Sequence, residues 1–278
     1  MNMHIFPAPY EGEYVSECMR GRVRLERGHL PTAPPAKTAV IAQYSTSVQQ
    51  SKSLSRYVES LSQQGFTPII VSTCPSDAPL EFPHGLVGDC LIIRRPNLGY
   101  DFGSWSTALG LIPAIRRSDI VLLTNDSMLG PFDDIGHLID WICEPGPDIR
   151  GLTTSYQMAR HLQSYFVAFR GGILDDRPWR DFFNAIRVLP TKEDVVLAYE
   201  MGLTRRAIAE GYSFDEWITG PDLGYMYANP TTDGWQKLLD AGVPMVKKML
   251  FTHEAFVDDV PLIRDELRQR FNIDVDQW

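Results

Sequence analysis

The sequence predicts an α/β fold, a single large domain whose mostly parallel sheet is flanked by helices. Three observations carry that prediction. Short, almost wholly apolar runs recur through the first half of the chain. Segments with apolar residues at helical spacing separate them. A chain of 278 residues also buries roughly three quarters of its unfolded surface, enough for one α/β core.

Residues 38–43 read as the first strand. Leu54, Tyr57, Val58 and Leu61 then recur at helical spacing, and Gly65 stands where a C-terminal cap is expected. Residues 67–72 and 90–94 read as the second and third strands, 104–115 as a helix, and 119–124 as the fourth strand. Strands this apolar belong to a sheet covered on both faces. Such sheets bind ligands beyond the C-terminal ends of their strands, which here are the loops 44–48, 96–105 and 125–131. The second half is less regular. Residues 149–153 and 164–170 read as strands, 179–186 and 193–210 as helices, and 246–251 as a last strand or an extended docking segment. Residues 1–36 carry Pro7, Pro9, Pro31, Pro34 and Pro35 without periodicity, and read as an arm ending in a linker. The main domain is expected over 37–254, divided near residue 131, followed by a tail helix within 255–278.

Lys and Arg number 26 and Asp and Glu 35, a net charge of −9. That balance argues against a nucleic-acid binder, which needs a basic face, and against plain electrostatic attachment to an anionic membrane. It leaves room for a nucleotide, because a local site can oppose the net charge. No apolar run approaches the ~20 residues that span a bilayer. The first residues lack the charged-then-apolar pattern of a signal peptide. Cys18, Cys74, Cys90 and Cys143 are scattered without a C-x-x-C pair, which fits reduced thiols in a cytoplasmic protein.

Five stretches carry chemistry. In the segment from Arg94 to Trp105, Gly99 and Gly103 permit close backbone approach, and Asn97 and Asp101 offer hydrogen bonds to a ligand or to the next helix. The stretch is not G-x-G-x-x-G, so no dinucleotide turn is expected. Asn125, Asp126 and Ser127 follow a buried strand, where a carboxylate can hold Mg²⁺ or Mn²⁺ against a diphosphate; the same residues also read as an ordinary Asn-Asp turn. His161, Gln163 and Ser164 precede a strand. A helical stretch carries Glu193, Asp194 and Glu200. Lys247, Lys248 and His253 lie near the end of the chain, where cations suit a diphosphate.

The order of these motifs resembles the nucleotide-sugar half of GT-A glycosyltransferases, a Rossmann-type architecture, and looks like the rhamnosyltransferases of family 2. The nearest likeness is to the rhamnan synthesis protein F family. It shows in Asn97-Leu-Gly-Tyr-Asp-Phe-Gly-Ser-Trp105, Thr124-Asn-Asp-Ser-Met-Leu-Gly-Pro131 and His161-Leu-Gln-Ser-Tyr-Phe166. It continues through Tyr199-Glu-Met-Gly-Leu203, Asn229-Pro230 and the stretch from Trp235 to Lys247, and covers about residues 37–254. Thr124-Asn125-Asp126 takes the place of the Asp-x-Asp motif without its first carboxylate, so a metal role rests on Asp126, with His253 as second ligand.

The resemblance implies a glycosyltransferase of bacterial cell-surface polysaccharide. Its donor would be dTDP-L-rhamnose, or else a UDP-sugar, and its acceptor a lipid-linked oligosaccharide. It implies donor binding by Gln43, Tyr44, Ser45, Asn97, Gly99, Tyr100, Asp101, Gly103, Asn125, Lys247 and Lys248. It places His161, Gln163 and Ser164 on the acceptor side. Glu200 lies eleven residues before Gly211 (211 − 200 = 11), the spacing of the family 2 base, with Asp194 and Glu193 in reserve. The implied reaction is inverting. It would run in the cytoplasm at the inner face of the membrane, reached peripherally or through a partner. Two other classes stay open: a non-catalytic nucleotide-sugar- or glycan-binding module of a polysaccharide assembly complex, and a different α/β enzyme such as a nucleotidyltransferase or hydrolase. For the last, no G-x-S-x-G elbow or P-loop is present.

Overall fold

A computed structural model describes residues 11–219, 221–222 and 229–278. In chain order it contains α1 (Val15–Cys18), β1 (Arg24–Arg27), β2 (Lys37–Gln43), α2 (Lys52–Gln63), β3 (Thr67–Ser72), β4 (Leu91–Arg94), α3 (Tyr100–Leu111), β5 (Ile120–Asn125), β6 (Met128–Leu129) and α4 (Gly136–Cys143). There follow β7 (Ile149–Ser155), β8 (His161–Leu162), β9 (Phe166–Arg170), α5 (Arg177–Asn184), α6 (Lys192–Val195), α7 (Met201–Glu210), β10 (Phe214–Thr219), α8 (Trp235–Asp240), β11 (Val246–Lys247), α9 (Met249–Thr252) and α10 (Val260–Phe271).

The central sheet runs β1-β4-β3-β2-β5-β9-β7-β10, with β8 beside β7. Strands β4, β3, β2 and β5 are parallel neighbours. Strand β9 enters antiparallel between β5 and β7, and β10 is parallel to β7. Among the described residues, β1, β8 and β9 therefore oppose the other six strands, and the sheet is mostly parallel, as expected.

The two-residue period of a strand divides β2 between two cores. Val40 and Ala42 face the layer of Phe102, Trp105 and Leu109 from α3. Ala39 and Ile41 face Leu54, Tyr57, Val58 and Leu61 from α2. Helix α2 starts where the Ser51 side chain accepts the Leu54 N–H at 3.2 Å, and it stops before Gly65 at φ +82°. A third cluster joins Trp235, Leu239, Val246, Leu250, Ile263, Leu267 and Val275. Through it, α10 of the expected tail packs against α8, β11 and α9.

Four expectations are corrected. Residues 11–36 are not an extended arm: β1 pairs antiparallel with β4, and Val15 is fully buried against the α3 layer. Pro31, Pro34 and Pro35 mark a linker, while before it Val15 and Met19 bury in the α3 layer and β1 adds to the sheet edge; residues 1–10 lie outside the described residues. Helix α3 begins at Tyr100, four residues before the expected start, because Gly99 (φ +74°) reverses the chain there. It also ends early, since Pro113 opens a separate 3₁₀ turn. The stretch 193–210 is α6, a π-helical turn (Val196–Glu200) and α7 rather than one helix. Finally, only Val246–Lys247 of 246–251 is strand; it pairs with β6, and the chain turns at once into α9.

Candidate active site

Neighbours of β2 lie on opposite sides of it: β3 follows on one side, and β5 returns on the other. An open sheet splays its loops apart at such a reversal, and ligands bind in the resulting crevice. Here the crevice is formed by residues 43–45 after β2 and 125–127 after β5. The Asp126 N–H still donates to Ala42 O at 3.1 Å, which fixes the two loops side by side. A pocket of about 310 Å³ opens there, lined by Gln43, Tyr44, Ser45, Ser51, Asp126 and Lys248, with His84 on its rim. The Gln43 Oε1 is buried and has no hydrogen-bond partner among the described residues. A buried carbonyl without a donor is costly, so this atom gains from a ligand that brings one.

A charged cluster stands beside the pocket. The Asn125 Nδ2 donates to Asp101 Oδ2 at 2.7 Å, while its Oδ1 accepts from Ser127 N (3.1 Å) and Ser127 Oγ (2.6 Å). Asn125 is thus oriented from both ends and carries Asp101 from α3 to the end of β5. Burial, reinforced by the neighbouring Asp126 charge, pushes the Asp101 carboxyl up to about 6; the Asn125 hydrogen bond and Lys247 oppose the shift, and Glu200 adds to it. Burial also raises Asp126, against the pull of Lys248, whose Nζ lies 3.4 Å from Asp126 Oδ2. Lys247 is lowered by burial and supported by Glu200 and Asp101; its ammonium sits 5.4 Å from the centre of the Tyr165 ring. The pairing Lys247↔Met128 between β11 and β6 brings both lysines here from far along the chain.

Glu200 acts on the charges of both Lys247 and Asp101. It ends the π turn, a distortion frequent at functional sites, and its Oε1 accepts the Ser164 N–H at 3.1 Å. His161 Nε2 lies 3.8 Å from the same oxygen. Gln163 is fixed by its Oε1 accepting from Thr153 Oγ1 (2.8 Å) and its Nε2 donating to Asn229 Oδ1 (3.0 Å). The reserve carboxylates serve otherwise: Asp194 completes a capping box with Thr191, and Glu193 is exposed.

Asp101, Asn125, Asp126, Glu200, Lys247 and Lys248 therefore meet, with His161 and Ser164 against Glu200. Other expected site residues lie apart or have another evident task. Asn97 lines a separate cleft of about 390 Å³ with Arg22, Arg24 and Thr73. Gly99 holds a positive φ, and a Cβ on it would meet Val15 Cγ2 at 2.7 Å. A Cβ on Gly103 would strike Leu98 O and come within 2.9 Å of the Arg95 guanidinium. Tyr100 is 43% exposed at φ +52°. His253 is exposed, and its Nδ1 accepts the Ala255 N–H at 3.2 Å; among the described residues no contact joins it to Asp126.

Sequence reasoning assigned no role to Arg94 and Arg95, both 4% exposed. Arg94 pairs with Glu26 at 2.5 Å and donates to Cys74 O and Ala78 O at 3.1 Å, tying β1 and the loop after β3 together. Arg95 donates to Ser104 Oγ at 2.8 Å and to Leu98 O. Two consecutive arginines closing an apolar strand were the available signal. His84 and Ser51 gave none, because their loops meet through the bridge between Gln49 and Glu81 and the packing of the 80–87 loop on α2.

A mostly parallel α/β sheet with carboxylates and lysines gathered at its switch point defines the class: an open α/β protein with its ligand crevice at the strand ends. Within that class the chain belongs to the rhamnan synthesis protein F family, which it matches over residues 84–277. It is 27% identical over 157 residues to an uncharacterized protein, y4gN, of Sinorhizobium fredii, covering 54% of this chain and 40% of that one. It is 38% identical over 82 residues to virulence protein VirA of Vibrio anguillarum, covering 28% of this chain and 25% of that one. The chain thus spans less than half the length of these curated relatives. Among solved structures it is similar to a mannosyltransferase of Pyrobaculum calidifontis in complex with GDP-Man and Mn²⁺, at 13% identity and a TM-score of 0.35, over 69% of this chain and 57% of that one.

Proposed function

We propose that the chain is a GT-A-like glycosyltransferase that moves a sugar from a nucleoside diphosphate sugar to a hydroxyl of a growing bacterial polysaccharide. The observation that carries this reading is the meeting of Asp101, Asp126, Glu200, Lys247 and Lys248 at the ends of β2 and β5. Family membership favours dTDP-L-rhamnose as donor, and a UDP-sugar is the alternative. The acceptor in this reading is a lipid-linked oligosaccharide at the inner face of the membrane. No helix among the described residues is long and apolar enough to cross a membrane; in this reading attachment is peripheral or through a partner.

The pocket beside Asp126 receives the nucleotide, with Gln43, Tyr44 and Ser45 on one wall. Lys248 and Lys247 offset the charge of the departing diphosphate. Glu200 takes the acceptor proton as the new bond forms, on the face opposite the leaving group, which inverts the anomeric centre. His161, Gln163 and Ser164 shape the acceptor side.

The donor set suits a hard divalent ion in part. Asp126 and the nearby Asp101 are carboxylates whose charged forms burial disfavours, so a cation between them relieves both. Among the described residues no group of three His, Cys, Asp or Glu is arranged for a metal, so diphosphate oxygens would complete the shell. Asp126 would hold Mg²⁺ or Mn²⁺, which supplies further charge compensation to the leaving group. His253 is better placed as the cap of its own turn.

The test is dTDP release from dTDP-L-rhamnose with Mg²⁺ or Mn²⁺. Glu200→Gln and Asp126→Asn should each lose at least about 100-fold in kcat while remaining folded. Full turnover in both variants refutes the site. Binding of dTDP without turnover in the wild type supports the binding-module alternative.

A further inference from the structure

We infer that the arginine-lined cleft beside Asn97 is a second ligand site, one that takes the phosphate group of an organic phosphate other than the sugar donor. It lies apart from the donor pocket and does not depend on the donor reading.

The cleft opens at the C-terminal ends of two parallel neighbours, β3 and β4, where sheets of this class bind ligands. Its volume is about 390 Å³, and Arg22, Arg24, Thr73, Arg94, Arg95 and Asn97 line it. Among the described residues none lines both this cleft and the pocket beside Asp126. Gln43 and Thr73 form the wall between them. Thr73 donates its N–H at 3.0 Å and its hydroxyl at 3.2 Å to Gln43 O. Arg22 and Arg24 also lie outside the family match, residues 84–277.

The charge of the cleft opposes that of the whole chain, which is −9. Four arginines meet two carboxylates, Glu26 and Asp77. Glu26 is shared, at 2.5 Å from Arg94 and 3.5 Å from Arg24. Asp77 is fully exposed at 4.0 Å from Arg24, where water screens it; Arg24 also donates to Asp77 O at 2.7 Å. Arg22 is exposed and bonds Cys18 O at 3.5 Å, with no ion pair among the described residues.

Arg95 shows the need for a counter-ion. It is 4% exposed, yet its partners are neutral: Ser104 Oγ at 2.8 Å, Met19 Sδ at 3.4 Å and Leu98 O. Asp101 acts on its charge from beyond ion-pair distance and is bonded to Asn125 instead. A buried charge without a paired anion is costly. Arg94 is equally buried, and its Nε has no partner among the described residues. An anion in the cleft supplies the missing charge. Guanidinium forks beside amide and hydroxyl donors suit a phosphate, whose oxygens accept from several directions. The cleft holds far more than one phosphate, so the ligand carries an organic part.

The experiment is calorimetric titration of the full chain with inorganic phosphate and with pyrophosphate. Ionic strength is held constant with sodium chloride, and each titration is run with and without saturating dTDP. Wild type should bind one anion per chain, and dTDP should leave that affinity within about twofold. Arg22→Gln combined with Arg24→Gln changes two exposed side chains and should weaken binding at least about tenfold. Should that variant unfold, Asn97→Ala carries the same test, with a loss of at least about threefold. No binding of either anion, or equal affinity in the folded variants, overturns the inference. Displacement by dTDP overturns it too, because the cleft then serves the donor. Failure of dTDP to bind at all sinks the donor reading instead, and the phosphate titration still decides the cleft.

Discussion

Asp101 gives the sharpest quantitative expectation. Its carboxyl is raised from the usual 3.8 to about 6 by burial and by the Asp126 charge, so the fold prefers it protonated. A raised folded value means that the stabilising contribution is complete below about pH 4 and is lost as pH rises through about 6. The shift is about 2 units, or about 3 kcal/mol at 1.36 kcal/mol per unit; solvent at the partly exposed side chain reduces this to about 2–3 kcal/mol. Asp101→Asn removes the charge, and its Oδ1 can still accept the Asn125 N–H that now bonds Asp101. Urea unfolding of both proteins at a series of pH values should show the wild type losing stability between about pH 4 and about pH 6.5, with a flatter curve for the variant. By about pH 8 the variant should be more stable by about 2 kcal/mol and should bind nucleotide more weakly, the exchange expected where a site is built at the expense of stability. Parallel curves, or a variant less stable at pH 8, refute the electrostatic account.

Further expectations concern separate parts of the molecule. Lys248→Ala leaves Asp126 without its 3.4 Å ion pair and should weaken dTDP binding about tenfold, read as a smaller thermal shift at fixed nucleotide concentration; an unchanged shift removes Lys248 from the site. Gly103→Ala sets a methyl against Leu98 O and 2.9 Å from Arg95, so unfolding should be easier by about 1–3 kcal/mol, and a neutral result means the loop yields. Val15→Ala empties a fully buried position in the α3 layer and should cost about 2 kcal/mol by chemical denaturation, whereas an arm outside the fold would lose nothing measurable.

How much of the site the chain revealed depended on distance along it. Asn125 and Asp126 were readable because an apolar run ended in polar residues, and the sheet class then placed them at the strand ends. Glu200 was singled out by the family 2 likeness, which its spacing to Gly211 matches. The π turn that aims it was not, since a helical period continues through 193–210 and only tertiary packing inserts the extra residue. Lys247 and Lys248 were legible as cations without a location. Their place follows from two pairings, Val246↔Leu129 and Lys247↔Met128, too short to leave any alternation in the sequence. His253, equally legible as a residue type, caps its own turn instead. Asn97 lies in the neighbouring cleft because Gly99 reverses the chain before α3 begins.

The sequence by itself determined the parallel strands β2 to β5, helix α2 with its cap, the family likeness and the residue types of the site. These depend on local spacing, burial on both faces of a strand and capping chemistry, all properties of short windows. Tertiary structure decided that β9 runs antiparallel between β5 and β7, that residues 11–27 close the sheet edge, and that the β6–β11 pairing brings Lys247 and Lys248 to the site, Lys248 against Asp126. The physical reason is that a strand's apolar pattern states that it will be buried, while its neighbour and direction are chosen by backbone hydrogen bonding and packing between segments far apart in the chain.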